Sequence, residues 1–233
     1  MKMVESISGI FKKTMACNKA RADMIALFIV SLIRVRTVNL TEIASAMPGK
    51  AKKDSKHRRL KRFFEKFEFC YRSVAVFVAD MLPASEDKWE ISIDRTNWKL
   101  GEKNINPLVM GIVRFGVAFP IRWTTFSKRG NSNAEERIRL IEWFEEVFGT
   151  EKIKCLYADR EFVGEKWMGY LLKKSIHFCI RIRKNFLVSN SKHGQVPVKN
   201  MFRNLKPNQY AVLDGKRLVN GLRLHVVGAM LPD

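Results

Sequence analysis

The chain has 233 residues, enough for one large or two small domains, and its 46% apolar content excludes wholesale disorder. Forty-three Lys and Arg against 23 Asp and Glu give a formal charge of +20, a balance that calls for a polyanionic partner, most commonly nucleic acid. Cys17, Cys70, Cys155 and Cys179 form no Cys-x-x-Cys pair, and His57, His177, His193 and His225 are scattered, which argues against zinc and for a reduced cytosolic chain.

In chain order, Met1 to Ile10 lack the apolar centre of a signal peptide. Residues 18–35 read as a helix buried on most sides. Its most apolar run, Met24 to Ile33, is flanked by Asp23 and Arg34 and spans half the ~20 residues a membrane helix needs, so no membrane partner is expected. Thr41 is placed to cap a short helix, Glu42 to Met47, which Pro48-Gly49 ends. Lys50 to Arg62 holds eight Lys or Arg and one acid, Asp54. Ser55 is placed to cap a helix running to about Phe69, with Leu60, Phe63, Phe64 and Phe67 on one face. Residues 71–82 read as a further helix, and Pro83 to Lys88 as a polar break between a helical region, 1–88, and a second region, 89–233.

Beyond the break the period changes. Trp89 to Asp94 alternates as a strand does. Asn106-Pro107 reads as a turn, followed by a β-hairpin of Leu108 to Phe115 and Val117 to Thr124 joined at Gly116. Asn133 to Phe148 is an amphipathic helix with Ile138, Ile141, Phe144, Val147 and Phe148 inward, ended by Gly149. Ile153 to Ala158 is a strand, Phe162 to Lys174 a helix and His177 to Ile182 a strand. The pattern β-β-β-α-β-α-β describes a mixed α/β sheet covered by helices. The tail from Phe186 is strand-like and rich in turns.

Two acids stand out by position. Asp94 lies at the end of the first strand and Asp159 at the end of the fourth. If those strands are neighbours, two hard carboxylates meet, a donor set suited to Mg²⁺ and phosphodiester chemistry. Each acid alone also fits a plainer role, Asp94 starting a turn and Asp159 capping the next helix. Together, in so basic a chain, they favour a catalytic metal pair. Lys56, Arg58, Arg59, Lys61, Arg62 and Lys66 make the helix of residues 55–69 a candidate for phosphate contacts in a helix-turn-helix-like unit, against the alternative of a merely solvated face. Lys173, Lys174, Arg181, Arg183 and Lys184 flank the last core strand and are candidates for phosphate contacts too. Phe63, Phe64 and Phe67 are expected in the core, and Trp98 against the sheet rather than on a base.

Ile91-Ser92-Ile93-Asp94-Arg95-Thr96-Asn97-Trp98 and Ala158-Asp159-Arg160-Glu161-Phe162 resemble the first two acidic motifs of the insertion sequence four family of DDE transposases. Lys56-His57-Arg58-Arg59-Leu60-Lys61-Arg62-Phe63-Phe64 resembles part of their DNA-binding region. The resemblance implies a ribonuclease H-like core with a β-rich insertion, here 185–233, after a helical helix-turn-helix-like DNA-binding region. It implies catalysis and metal binding by Asp94 and Asp159, with Mg²⁺ as cofactor and Mn²⁺ as substitute, and DNA contact by the basic helix and Lys184. It also implies cutting of inverted-repeat ends, strand transfer into target DNA, a homodimer in the DNA complex and a nucleoid-associated location in the cytoplasm.

The family's third acid belongs to a Y-x2-R-x3-E-x6-K pattern. Tyr157 and Arg160 have its first spacing, but Gly164 stands where Glu is needed, and Tyr71, Tyr170 and Tyr210 fail at the Arg. The triad is therefore expected to be incomplete, the chain to bind DNA without transposing it alone, and the tail after Phe186 to pack poorly. Two other readings stand beside this one: a non-catalytic DNA-binding protein or repressor, and a different ribonuclease H-like nuclease using Glu161, Glu165 or Asp214.

Overall fold

The structure is a computed structural model that describes every residue except Met1, Ala16, 84–86, 128–129, 191–193 and Asp233, and leaves out the side chain of Leu100. Part of the expected break at 83–88, and His193, lie outside the described residues. The chain divides into two compact units, Met1–Met81 and Leu82–Asp233.

The first unit is helical: α1 (Lys2–Thr14), α2 (Lys19–Val35), α3 (Leu40–Ala46), α4 (Lys53–Lys66) and α5 (Tyr71–Met81). The sequence reading did not anticipate α1. Asn39, not Thr41, caps α3: its side chain accepts the Thr41 N–H at 2.9 Å, because the helix starts one residue before Thr41. Ser55 lies inside α4 rather than at its cap, and the cap residue Lys52 makes no side-chain bond there. Met24, Ile43, Ala44, Met47 and Leu60 bury the α2–α3–α4 junction, and Phe11, Ala22 and Ile25 bury α1 on α2. Phe63 and Phe67 stack at 4.8 Å between centroids and pack on these clusters, as expected of core residues, while Phe64 is half exposed with its edge against Phe28. Among the described residues no single helix is long and apolar enough to cross a membrane. Helices α2 and α3 pass only together, bent by 101°.

The second unit opens with β1 (Trp89–Arg95), β2 (Trp98–Leu100), β3 (Lys103–Arg114) and β4 (Val117–Phe126). Strand β2 is a short addition that pairs only with the start of β3. Asn106 and Pro107 do not turn; they lie in β3, paired with Phe126 and Thr125. Asn106 is wholly buried, and its amide oxygen and nitrogen are both bonded, so tertiary partners override the turn preference of this dipeptide. Phe115 and Gly116, both at positive φ, make the tight β3–β4 turn.

Helix α6 (Ala134–Phe148) starts with a capping box in which Asn133 and Glu136 each bond the other's backbone N–H. Its buried residues are Arg137, Leu140, Ile141 and Phe144; Ile138, Val147 and Phe148 are only half buried. Then come β5 (Ile153–Ala158), a 3-10 turn over Arg160–Phe162, α7 (Glu165–Lys173) and β6 (Phe178–Ile180). The single helix expected over Phe162 to Lys174 is thus broken, with Val163 in extended backbone and Gly164 at the cap of α7.

The main sheet has the order β4-β3-β1-β5-β6. Strand β3 runs antiparallel to both its neighbours, whereas β5 and β6 run parallel to β1. That order, with the second strand reversed, is the ribonuclease H-like sheet. Trp89 meets Phe144 and Phe148, so the face of Trp89, Ile91, Ile93 and Arg95 is the one covered by α6. The opposite face carries Glu90, Ser92 and Asp94.

The tail is packed, contrary to expectation. It holds β7 (Leu187–Asn190), β8 (Gly194–Pro197), α8 (Val198–Met201), β9 (Tyr210–Val212), β10 (Arg217–Val219), β11 (Leu222–Leu224) and β12 (Val227–Ala229). They form a four-stranded sheet, β11-β10-β7-β8, and a β12-β9 pair. Val188, Val198, Val219 and Val226 are buried at their centre, joined by Ile182, Phe186 and Leu224, so the tail closes a core of its own.

Candidate active site

Strands β1 and β5 pair in parallel up to Ile93 opposite Ala158. Asp94 and Asp159 each lie one residue beyond that last rung. Neighbouring strands run about 4.8 Å apart, so the two backbones present their acids side by side. Both residues are exposed and both line the same groove. The Asp94 carboxylate accepts the following backbone N–H, Arg95 N, at 2.7 Å. Asp159 occupies the cap position of the 3-10 turn but makes no side-chain cap bond there. The plainer role of helix cap is therefore not what the Asp159 side chain does. Arg181, just past β6, stands 4.0 Å from Asp159 Oδ1.

Two hard carboxylates with free oxygens fit Mg²⁺ or Mn²⁺, which commonly take one or two protein carboxylates and complete their shell with water and phosphate. Among the described residues no three or more His, Cys, Asp or Glu side chains gather at one point. Glu161 is turned away from the pair: both its oxygens are held by Arg95, at 2.8 and 2.9 Å, on the helix-covered face. Glu165 stands against the β10–β11 turn, where a Cβ on Gly221 would come within 2.9 Å of its carboxyl carbon. Neither Glu165 nor Asp214 is among the groove's lining residues.

The groove has a volume of about 2120 Å³, against the roughly 300–1,000 Å³ of small-molecule sites, so it suits a polymer. It runs from the strand ends to the tail. Eight Lys and Arg line it (Arg160, Arg181, Arg183, Lys184, Lys199, Arg203, Lys216, Arg223), and Asp94 and Asp159 are its acids. The groove lining is thus strongly cationic around two carboxylates, an electrostatic setting that favours polyanions. Tyr157 lies on the groove floor, where desolvation pushes its phenol up to about 12, with Cys155 and Glu90 adding to the shift.

Of the other residues expected to contact DNA, Lys184 is exposed in this groove, and Arg58, Arg59, Lys61, Arg62 and Lys66 are exposed on α4 in the first unit. Lys56 differs. It is buried, and its ammonium donates to the Met47 carbonyl at 2.7 Å, which ties the end of α3 to α4 and leaves it no free surface charge. Lys174 is engaged by Glu145 of α6 at 2.8 Å. Trp98 is 60% exposed, so it does not pack against the sheet as expected. Sequence reasoning did not single out Lys199, Arg203, Lys216 and Arg223. They are spread along a turn-rich segment without periodicity, and only the closure of the tail brings them to one wall.

No protein-family model matches the chain, and no curated protein matches it in sequence. Among solved structures it is similar to the HTLV-2 integrase catalytic core domain in complex with magnesium, at 14% identity over 40% of this chain and 61% of that chain, with a TM-score of 0.32. It is similar to a chain of the simian T-cell lymphotropic virus intasome in complex with a PP2A regulatory subunit, at 10% identity over 57% of this chain and 45% of that one, with a TM-score of 0.34. A third likeness is to the catalytic domain of human Endonuclease V, at 12% identity over 79% of this chain and 85% of that one, with a TM-score of 0.30. The chain thus spans about six tenths of the integrase core it matches.

Proposed function

We propose that this chain is the DNA-binding and ribonuclease H-like part of a bacterial insertion-sequence transposase of the insertion sequence four family. In this reading it binds the inverted-repeat ends of its element and serves metal-dependent DNA cleavage and strand transfer into target DNA, as a homodimer in the DNA complex, at the nucleoid. The observation that carries the reading is the pair of exposed carboxylates on neighbouring strand ends, opening into a groove lined by eight Lys and Arg.

Asp94 and Asp159 would hold the metal through their carboxylate oxygens. Bound there, Mg²⁺ or Mn²⁺ supplies Lewis acidity toward the phosphodiester and lowers the pKa of an attacking water or 3′-hydroxyl. Arg181, Arg183 and Lys184, beside β6, are placed to hold phosphates next to the carboxylates. On α4, Arg58, Arg59, Lys61, Arg62 and Lys66 serve the duplex backbone, while Lys56 holds the α3–α4 joint. Two carboxylates hold one ion; a two-ion displacement needs more donors. The expected behaviour of the purified chain is therefore end binding without cleavage. The basic surface of α4 equally supports a second reading, a DNA-binding repressor in which the groove does no chemistry.

The test uses the chain with restriction fragments covering its own gene and flanks, and with Mn²⁺. Selective retention of the two fragments that carry the element's ends, and Mn²⁺ binding lost in Asp94→Asn and in Asp159→Asn, are the expected results. Equal retention of all fragments would overturn the transposase reading. Selective retention with Mn²⁺ binding indifferent to both substitutions would leave only the repressor. End cleavage by the chain alone that vanishes in Asp94→Ala would show that a further acid within it completes the site.

A further inference from the structure

We propose that Arg95 and Glu161 form a positioning clamp that sets the separation of Asp94 and Asp159; the inference rests on reading those two acids as a metal pair. Backbone pairing between β1 and β5 stops at Ile93 and Ala158, before either acid is reached. Beyond that rung, among the described residues, the Arg95–Glu161 ion pair ties the two strand ends directly. Arg95 follows Asp94 directly, and Glu161 lies two residues after Asp159. The Arg95 Nε donates to Glu161 Oε1 at 2.8 Å and an Nη donates to Oε2 at 2.9 Å. A two-pronged bond of this kind fixes direction as well as distance.

The clamp is itself anchored. Another Nη of Arg95 donates to Asn106 Oδ1 at 3.1 Å, and Asn106 Nδ2 donates to the Gly130 carbonyl at 2.8 Å. Asn131 Oδ1 accepts from Arg95 at 3.1 Å. From α6, Arg137 donates to the Glu161 carbonyl at 3.1 Å and to the Ser132 carbonyl at 2.6 Å, with its guanidinium 4.7 Å from the Phe162 ring centre. The Arg95 and Glu161 side chains are only 13% and 22% exposed, so water and salt screen the pair far less than they would a surface bridge. Strand alternation puts Arg95 on the helix-covered face and Asp94 on the groove face. Arg95 and Glu161 thus lock the spacing from one side, while Asp94 and Asp159 line the groove on the other. The same geometry removes Glu161 from the candidates for a third metal ligand and makes it a positioning residue.

The experiment titrates the chain with Mn²⁺ alone, read by electron paramagnetic resonance, in wild type, Arg95→Lys, Arg95→Gln, Glu161→Gln and the Arg95→Gln/Glu161→Gln double variant. Glu161→Gln keeps one acceptor oxygen and the same shape, so the fold is retained. Partners that orient metal ligands typically change affinity 10–100-fold, so each single variant should bind Mn²⁺ about tenfold more weakly or worse, with a broadened signal from a less uniform site. The double variant should be no weaker than the worse single one, because the two residues act as one unit. Wild-type affinity and linewidth in Arg95→Lys would overturn the clamp. Tighter binding in Arg95→Gln would show Glu161 released to act as a ligand. If wild type shows no Mn²⁺ binding that depends on Asp94, the metal reading fails, and amide exchange then decides the clamp separately. Faster exchange at Thr96 and Phe162 in Glu161→Gln, with Leu156 still protected, supports it; unchanged protection at both overturns it.

Discussion

Replacing Arg58, Arg59 and Arg62 with Ala should flatten the salt dependence of duplex binding by a countable amount. On α4, Arg58, Arg62 and Lys66 recur every fourth residue, about 6 Å apart along the axis, on the side away from the buried Leu60. Arg59 and Lys61 flank that stripe. Glu65, four residues beyond Lys61, is placed to offset that cation. Each phosphate neutralised contributes about 0.9 to the slope of log affinity against log salt, so the triple variant should lose about 2.7. Between about 0.05 and 0.2 M salt that is a roughly fortyfold smaller fall in affinity than wild type shows. Lys56→Met is the internal control. Its ammonium is bonded to the Met47 carbonyl, so the slope should stay at the wild-type value. Losing a charged hydrogen bond at a buried site should instead cost about 1.5–3 kcal/mol of stability. The assay is fluorescence anisotropy on a labelled duplex at five salt concentrations, with urea denaturation of each variant. An unchanged slope in the triple variant would mean that this face is only solvated. A slope lost equally in Lys56→Met and Arg62→Ala would refute the division of roles between them.

Two further predictions follow from the second unit. Burial pushes the Tyr157 phenol up to about 12 from an ordinary value of 10.0, so the unfolded chain should give up this proton first. Its contribution to stability is full below pH 10.0 and is lost as pH rises through 12; ultraviolet titration should show a most alkaline tyrosine step that vanishes in Tyr157→Phe, and a step that survives would refute the assignment. Gly111→Ala places a Cβ 2.9 Å from the Phe119 carbonyl oxygen and 3.1 Å from its carbon, at the irregularity where β3 meets β4. Backbone cannot swing aside as a side chain does, so the variant should lose about 1–3 kcal/mol in urea denaturation, and a wild-type midpoint would show that the strand pair yields.

What the sequence determined by itself was local order and chemical type. Period-two alternation marked β1, apolar runs around Gly116 marked the β3–β4 hairpin, and helical spacing marked α4 and α6, because each is a pattern of burial along one stretch of chain. The order of elements was enough to foresee a mixed sheet covered by helices, and the resemblance of the two acidic motifs added the ribonuclease H-like expectation. Asp94 and Asp159 were legible because both follow apolar strands and precede polar turns. What they touch was not. Whether Asn106-Pro107 turned or ran on in β3 depended on partners from Arg95 and Gly130, far away in sequence. Thr41 was read as the cap of α3, but the helix begins at Leu40 and Asn39 caps it. Lys56 looked like its basic neighbours until the fold brought the Met47 carbonyl to its ammonium. Glu161 read as a possible third ligand, since charge and position in a motif do not say which face of a sheet a side chain takes. The tertiary structure decided that by setting Arg95 beneath the strand ends, where a guanidinium largely withdrawn from water holds both oxygens of the Glu161 carboxylate.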